Sequence, residues 1–253
     1  MWGYPYEFKS VAEAEKSRPA RYNFLRPGYG SAVLWVTQGY AVMDGISMYI
    51  ISETKDKEPN DVFISQLIMN AEAAINFVDS IGVGDRDRIA IGGHSYGGFM
   101  TANLLAHTDL FKAGIARSGA YNRSLTPFGF QSERRNYWKA KEVYDKMSPF
   151  NYADKLKTPI LIIHGQMDNN TGTFPIQSER LYHAVAGHGG TARYLQLPYE
   201  SHGYSAYENV MHMLYETDTW LAKWLSPEEV AKVKERQKKE QERKDKAKDK
   251  KNE

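Results

Sequence analysis

Short apolar runs that suit buried β-strands alternate along this chain with longer segments whose apolar residues recur at helical spacing. The clearest run covers residues 159–164 and is almost continuously apolar, as in strands that are covered on both faces of a sheet. Residues 60–80, in contrast, place Phe63, Leu67 and Ala71 on one helical stripe. Alternation of this kind predicts an α/β domain built around a mostly parallel sheet with helices on both faces.

The alternation begins near residue 31, and we expect residues 1–225 to form one domain. Predicted strands cover residues 40–44, 88–93, 113–116, 159–164 and 192–197, and predicted helices cover residues 60–80, 96–107, 175–186 and 205–225. The periodicity is lost between Ser118 and Pro149. A loop of that length over a rigid scaffold commonly lines a functional site.

Residues 226–253 differ from the rest of the chain because charged side chains dominate them. They carry a net charge of +3, whereas residues 1–225 carry −1. Oppositely charged residues four apart, such as Glu235 and Lys239, favour a solvated helix, so we predict a charged tail that is helical or disordered. Acidic residues interrupt the basic ones and no aromatic side chain is available for base stacking, so we expect no nucleic-acid partner.

The composition excludes several kinds of site. The 253 residues include no cysteine, which rules out disulfides, zinc–thiolate sites and a cysteine nucleophile. No apolar run approaches the roughly 18 residues that a membrane-spanning helix needs. The histidines and acidic residues show no metal-binding spacing such as His-Glu-x-x-His, so we expect neither a metal nor another cofactor. Pro5, Glu7 and Lys9 interrupt the start of the chain, so no export signal is expected in it.

The segment Gly93-His94-Ser95-Tyr96-Gly97 fits the pattern Gly-x-Ser-x-Gly, and its position is more informative than the pattern. It joins the predicted strand 88–93 to the predicted helix 96–107, which is the setting of a nucleophile elbow. Such a turn places the serine in a strained conformation at the carboxyl edge of the sheet, next to the N–H groups that begin the helix. We therefore predict that Ser95 is a nucleophile.

A serine nucleophile needs a base and a group that orients the base. In α/β-hydrolases the chain order is serine, acid, histidine, each on a loop that follows a strand. Asp168 follows the predicted strand 159–164 and His202 follows the predicted strand 192–197, so both are expected at the same sheet edge as Ser95. The predicted roles are nucleophile for Ser95, general base for His202 and orientation of the imidazole for Asp168.

Three other residues are weaker candidates for the base or the acid. His164 ends its predicted strand and is also compatible with a hydrogen-bonded histidine of the core. Asp154 precedes that strand and would lie at the opposite edge of the sheet. Glu200 lies too close to His202 in sequence to be the obvious orienting group.

Three segments together resemble the catalytic blocks of the prolyl oligopeptidase family of serine peptidases. They are Gly-Gly-His-Ser-Tyr-Gly-Gly at 92–98, His-Gly-Gln-Met-Asp-Asn-Asn at 164–170 and Glu-Ser-His-Gly-Tyr at 200–204. A longer segment, 114–131, is similar to the glutamyl endopeptidase subgroup of that family. The resemblance covers about residues 1–225 and leaves the charged tail outside.

The resemblance implies an α/β-hydrolase fold and hydrolysis of peptide bonds through an acyl-enzyme. It also implies two donors to the oxyanion, the backbone N–H of Tyr96 and a side chain from the strand near the start of the chain. Two registers place either Trp2 or Tyr4 at that second position, and Tyr4 is the residue that supplies a hydroxyl.

The resemblance further implies a preference for glutamate at the cleaved position, which would need a cation in the pocket that holds this side chain. The candidates are Arg117, Arg123, Arg134 and Arg135, which follow the predicted strand 113–116. A planar guanidinium can bind a carboxylate with two parallel hydrogen bonds. Each of these residues is equally compatible with a structural ion pair.

Members of the family carry a β-propeller before the catalytic domain, and that domain opens with antiparallel strands that are missing from this sequence. We therefore expect a fragment, a truncated reading frame or a minimal relative, with Trp2 on a strand at an open sheet edge. A carboxylesterase-type hydrolase and a non-catalytic fragment are the alternative functions, because a fold alone does not fix a substrate. The resemblance implies a periplasmic or secreted parent and leaves the oligomeric state open.

Overall fold

The computed structural model describes residues 1–17 and 26–232, together with residues 235, 238, 239 and 242. The strands are β1 (Gly3–Phe8), β2 (Ile46–Ile51), β3 (Ala90–His94), β4 (Ala113–Arg117), β5 (Ile160–Gly165) and β6 (Ala192–Leu197). The helices are α1 (Val11–Lys16), α2 (Phe63–Ser80), α3 (Tyr96–His107), α4 (Lys141–Lys146), α5 (Ile176–Gly187) and α6 (Tyr207–Leu225). The predicted strand 192–197 and helix 96–107 are confirmed to the residue.

In the part of the chain that the structure describes, the strands form two parallel sheets, of four and two strands, which meet where the start of β1 lies beside β3. Strands β3, β4, β5 and β6 pair in that order, and β1 pairs with β2. On its other side β1 meets β3, where Trp2 bridges Gly92 and the N–H of Gly92 donates to the carbonyl of Met1 at 2.9 Å. The expectation that Trp2 lies at an open edge is therefore wrong, because β2 covers that side of β1.

Helices cover both faces of the sheet, as the alternating directions of the β5 side chains require. Ile160 and Ile162 pack into a core shared with α2, α3 and α5. Leu161 and Ile163 point the other way, into a second core shared with α6. All four side chains are fully buried, which explains why the sequence of β5 is continuously apolar.

The predicted strand at residues 40–44 is wrong, and the strand instead begins at Ile46. The N–H of Trp2 donates to the carbonyl of Met43 at 2.8 Å, so this segment runs beside the start of the chain without forming a ladder. Gly45 then turns the backbone with a φ of 65°, a conformation that glycine adopts without steric cost. The regular pairing with β1 follows directly after that turn.

The tail begins as a helix in the part that the structure describes. Residues 227–232 are helical, and the Ser226 hydroxyl accepts the N–H of Glu229 at 3.1 Å as an N-cap does. Glu235 and Lys239 form the predicted ion pair, and most residues beyond them lie outside the described ranges. Among the described residues, no helix combines the length and the apolar character that crossing a bilayer requires.

Helix α2 offers a direct test of the core. Leu67 is 1% exposed, whereas Met69 on the same helix is 64% exposed. We expect Leu67→Ala to lower the free energy of unfolding by about 2–5 kcal/mol, because it removes buried methyl groups and leaves a cavity. Urea denaturation followed by circular dichroism measures this change. Met69→Ala is the matched control and should stay within about 0.5 kcal/mol of the wild type; equal effects would show that α2 is not packed as described.

Candidate active site

Three loops at the carboxyl edge of the sheet bring together the residues that were predicted as nucleophile, base and acid. Ser95 follows β3 directly, Asp168 lies three residues beyond β5 and His202 lies five residues beyond β6. Parallel strands all point their carboxyl ends to the same edge, so side chains distant in sequence meet there.

Ser95 occupies a backbone conformation that few residues other than glycine adopt. Its φ is 60° and its ψ is −118°, and the N–H of Ser95 is held by the carbonyl of Arg117 at 2.8 Å. The turn is tight enough that a Cβ on Gly93 would lie 2.4 Å from the carbonyl carbon of Gly97. A Cβ on Gly97 would lie 2.5 Å from the carbonyl oxygen of Gly3. The two glycines thus permit the strand-to-helix turn that exposes the serine.

A continuous chain of hydrogen bonds joins the three side chains. His202 Nε2 lies 2.9 Å from Ser95 Oγ, and His202 Nδ1 lies 2.8 Å from Asp168 Oδ2. A carboxylate accepts hydrogen bonds, so the proton of the neutral imidazole resides on Nδ1. Nε2 is then free to accept the hydroxyl proton of Ser95, as a general base must.

The carboxylate of Asp168 is fully buried and is surrounded by donors. Oδ1 accepts the N–H of Asn170 at 3.0 Å, and Oδ2 accepts from the hydroxyl of Thr173 at 3.2 Å and from the ring of His164 at 3.0 Å. Burial by itself raises the pKa of this carboxyl, but the hydrogen bonds from His164 and His202 outweigh it and hold the pKa well below its ordinary value. Asp168 is therefore ionised at neutral pH.

The loop that carries His202 is anchored by a second buried carboxylate. Glu200 is 4% exposed and accepts hydrogen bonds from the backbone N–H groups of Ser205 and Ala206 and from the side chain of Asn209. These bonds lower the pKa of Glu200 against the opposing effect of burial. The sequence analysis did not favour Glu200 as the orienting group, because it lies so close to His202. In the structure it accepts hydrogen bonds from the loop backbone and is not the hydrogen-bond partner of the His202 ring.

His94 packs against the base from inside the elbow. Its ring centroid lies 4.9 Å from that of His202 and 5.6 Å from that of Tyr204. Burial, and then the proximity of His202, lower the pKa of His94 to about 4. His94 is thus uncharged at neutral pH and does not oppose a positive charge that develops on His202.

The two predicted oxyanion donors lie next to each other. Tyr96 is the first residue of α3, so its N–H has no acceptor within the helix, and its phenol donates to Glu7. The ring of Tyr4 lies 5.9 Å from that of Tyr96, and the Tyr4 hydroxyl accepts from Gln131 at 3.4 Å. Trp2 is bridged to Gly92, two residues before the elbow serine's own neighbour His94, whereas the ring of Tyr4 contacts Tyr96 within the elbow.

A cavity of about 400 Å³ opens beside Ser95. It is lined by Ser95 and Tyr96, by the irregular loop from Ala120 to Gln131 and by residues 170–173. A larger cavity of about 540 Å³ lies near the opposite end of the sheet, between α6, the end of α2 and residues 39–43, and its lining holds none of the three catalytic candidates. The cavity beside Ser95 is therefore the candidate substrate site.

Of the four candidate arginines, Arg123 is the one that lines this cavity. Its side chain is 97% buried, and its guanidinium carbon lies 4.0 Å from the ring centre of Phe99 and 4.2 Å from that of Phe130. Its Nε has no hydrogen-bond partner, and no carboxylate among the described residues lies within ion-pair distance of it. Burial lowers the pKa of Arg123 to about 10, which still leaves it charged at neutral pH.

The other three arginines lie elsewhere. Arg117 is buried over the ring of Trp2 and donates to the carbonyl of Gly30 at 2.8 Å. Arg135 is already paired with two carboxylates, those of Glu133 and Asp61. Arg134 is exposed and does not line the cavity.

Sequence reasoning did not assign a supporting role to His164, Thr173, Glu200 or Glu7. His164 was considered as a rival base, yet it lies behind Asp168 and does not reach Ser95. Glu7 joins the phenol of Tyr96 to the backbone N–H of Ser132, and so ties the elbow to the loop that lines the cavity. The sequence contained one sign of the supporting role of His164: it ends the most apolar strand, and a polar side chain that is buried there needs a hydrogen-bond partner.

Similarity to known proteins extends over most of the chain. The profile of the prolyl oligopeptidase family matches residues 65–228. A protein of Arabidopsis thaliana named probable glutamyl endopeptidase, chloroplastic, is 54% identical over 228 residues, which are 90% of this chain and 24% of that protein. Its namesake from Oryza sativa subsp. japonica is 53% identical over 225 residues, which are 88% of this chain and 24% of that protein. The chain thus spans about a quarter of the length of these relatives.

A solved structure supports the same fold. A puromycin-hydrolysing peptidase of Mycobacterium tuberculosis is 27% identical, with a TM-score of 0.57 over 63% of this chain and 25% of that chain. The predicted α/β-hydrolase fold is confirmed by this likeness, together with the parallel sheet and its covering helices.

Gly165 provides a test of how the base is positioned. A Cβ there would lie 2.1 Å from the carbonyl oxygen of Ser201 and 2.6 Å from that of Glu200, so Gly165→Ala must push the His202 loop outward. We expect a fluorophosphonate probe to label Ser95 about 100-fold more slowly, since a displacement of about 1 Å misaligns the base. Gly203→Ala, in the same loop, has no atom within 4 Å of its new Cβ and should label at the wild-type rate. Equal rates in the two variants would contradict the described approach of the loop.

Proposed function

Because this chain belongs to the prolyl oligopeptidase family of serine peptidases, we propose that it carries the active site of a peptidase that cleaves after glutamate. The observation that carries the proposal is the hydrogen-bonded chain from Ser95 through His202 to the ionised Asp168. The same chain of groups serves any acyl transfer, so the choice of a peptide substrate rests on the family.

The proposed reaction proceeds through an acyl-enzyme. Ser95 Oγ attacks the scissile carbonyl carbon while His202 Nε2 takes the hydroxyl proton, and Asp168 stabilises the resulting imidazolium. The C–N bond then breaks, and His202 returns the proton to the leaving amine. Water then attacks the ester carbon while His202 removes a proton from it. The bond to Ser95 Oγ breaks, His202 returns the proton to that oxygen, and the carboxylic acid product leaves.

Two donors are proposed for the negative oxygen of the tetrahedral intermediate, the N–H of Tyr96 and the hydroxyl of Tyr4. The amide of Tyr96 begins a helix, where the helix dipole also favours negative charge. Burial raises the pKa of Tyr4, so its hydroxyl stays protonated and able to donate. The hydrogen bond from Gln131 to the oxygen of Tyr4 leaves the phenolic proton available for the substrate.

Arg123 supports the preference for glutamate. It is a buried cation in the cavity beside Ser95. The aromatic rings of Phe99 and Phe130 pack against its guanidinium group, but they carry no negative charge that would neutralise it. A buried charge without a partner is costly, and a substrate carboxylate that enters the cavity would supply the missing partner. The guanidinium can donate two parallel hydrogen bonds to the two oxygens of that carboxylate, and the amide of a glutamine side chain cannot accept both.

Labelling with a fluorophosphonate probe tests the nucleophile. We expect mass spectrometry to find a single adduct on Ser95, and we expect no adduct after His202→Ala because the serine then lacks its base. A folded chain that takes up no probe would refute the proposed activity and favour the inactive alternative. Thermal unfolding of the same sample shows whether the chain is folded.

Paired peptides that differ only in Glu or Gln at the cleaved position test Arg123. We expect the ratio of kcat/KM for Glu over Gln to fall by about 10- to 100-fold in Arg123→Met, because a charged hydrogen bond contributes about 1.5–3 kcal/mol. Arg134→Met is the matched control, since Arg134 is exposed outside the cavity.

If the ratio of kcat/KM for Glu over Gln is unchanged in Arg123→Met, Arg123 does not bind the glutamate side chain of the substrate. A short aryl ester is the reference substrate in the same assays. If the wild type hydrolyses the ester and neither peptide, an esterase replaces the peptidase as the proposed function.

A further inference from the structure

A second histidine lies directly behind the catalytic carboxylate. His164, near the end of β5, is fully buried, and both of its ring nitrogens are engaged. Its Nδ1 lies 2.6 Å from Ser178 Oγ on α5. Its Nε2 lies 3.0 Å from Asp168 Oδ2 and 2.6 Å from the carbonyl oxygen of Thr173.

The partners of His164 fix where its proton resides. A carboxylate and a backbone carbonyl can only accept hydrogen bonds, so Nε2 must carry the hydrogen and share it between Asp168 and Thr173. Nδ1 of the neutral ring then accepts the hydroxyl hydrogen of Ser178. The buried ring is thereby locked in one tautomer, and its N–H points at the oxygen that holds His202.

We propose that His164 is a positioning residue that acts on His202 through the carboxylate of Asp168, and so sets the basicity of the catalytic imidazole. The inference rests on the proposed hydrolase function of the site. The hydrogen-bonded chain then has five members, Ser178, His164, Asp168, His202 and Ser95, instead of the three that the reaction requires.

The direction of the effect follows from the charge on Oδ2. A hydrogen bond from His164 draws negative charge away from this oxygen, so less of the charge remains to stabilise a proton on His202. The hydrogen bond from His164 therefore weakens the attraction between the carboxylate and a positive charge on the ring of His202. It also holds the carboxylate in the orientation in which Oδ2 faces His202.

Three other ionisable side chains lie around this chain of hydrogen bonds. His94 packs on the ring of His202, Arg117 lies on the neighbouring strand β4, and Tyr204 lies near both His94 and Asp168. None of the three side chains is hydrogen-bonded to His164 among the described residues. A change in the behaviour of His202 after mutation of His164 thus passes through Asp168 or through Thr173, whose carbonyl accepts from His164 and whose hydroxyl lies 3.1 Å from His202 Nδ1.

Two polar variants of similar character separate positioning from packing. In His164→Gln the side-chain amide reaches about as far as Nε2 and can still donate to Asp168. In His164→Asn the amide reaches only the position of Nδ1, near Ser178, and leaves Oδ2 without this donor. His107→Asn is the control, because His107 lies at the far end of α3 and packs on Tyr152.

Two measurements are made on each variant of the 253-residue chain: the pH profile of kcat/KM for a cleaved substrate, and the pKa of His202 from NMR titration of its ring. For His164→Asn we expect kcat to fall about 10- to 100-fold with KM within about twofold, as for a lost hydrogen bond to a charged group. We expect the pKa of His202, as measured by NMR, to rise by about 0.5–1 pH unit. The acid limb of the kcat/KM profile should shift to higher pH by the same amount, because activity requires the neutral ring. His164→Gln should recover most of the kcat and the wild-type limb.

The proposal is overturned if His164→Asn leaves the acid limb and the pKa of His202 unchanged. It is also overturned if the Asn and Gln variants are impaired equally, because the role of His164 would then be packing alone. If the wild type cleaves no substrate, the proposed function fails, and the NMR titration still decides whether His164 acts on His202.

Discussion

A carboxylate that is removed from water must have its lone pairs satisfied by protein donors, and the site depends on one such group, the side chain of Asp168. Its two oxygens accept hydrogen bonds from the loop after β5, from the segment that leads into α5 and from the loop after β6. Asn170 and Thr173 both belong to the connection between β5 and α5, and His202 belongs to the loop after β6, so the position of one charge fixes the spacing of these two loops. The same hydrogen bonds that keep the carboxyl ionised therefore also hold the site together.

Much of this arrangement could be predicted because it follows from local patterns. The continuous apolar sequence of β5 and the glycines around Ser95 indicate a parallel sheet and a strand-to-helix turn, and Asp168 and His202 each follow a recognisable strand. Chain order and sheet direction then bring the three side chains to one edge without any knowledge of packing. The likeness to the family adds the substrate class, which the pattern of residues does not contain.

The parts that could not be predicted depend on the directions of side chains in the packed molecule. Four arginines follow one predicted strand, and their spacing in the sequence does not indicate which of them enters the cavity. In the structure Arg123 lines the cavity, whereas Arg117 packs on the ring of Trp2. The bond between His164 and Ser178 joins residues on a strand and a helix whose relative rotation is set by the core. The edge strand β2 was missed because the extended segment before Gly45 has the same apolar character as a strand.

The position of β1 between β2 and β3 has a consequence for the order in which the molecule can assemble. Neighbouring strands β3 and β4 are about 23 residues apart in register, whereas the bridge from Trp2 to Gly92 spans about 90 residues and closes a much longer loop. Distant pairings of this kind form late, because their entropic cost must be offset by contacts already made. Gly97 packs against the carbonyl of Gly3, so the turn that strains Ser95 is complete only after β1 enters the sheet. The backbone conformation of the nucleophile thus depends on a contact between two segments that are more than 90 residues apart in the sequence.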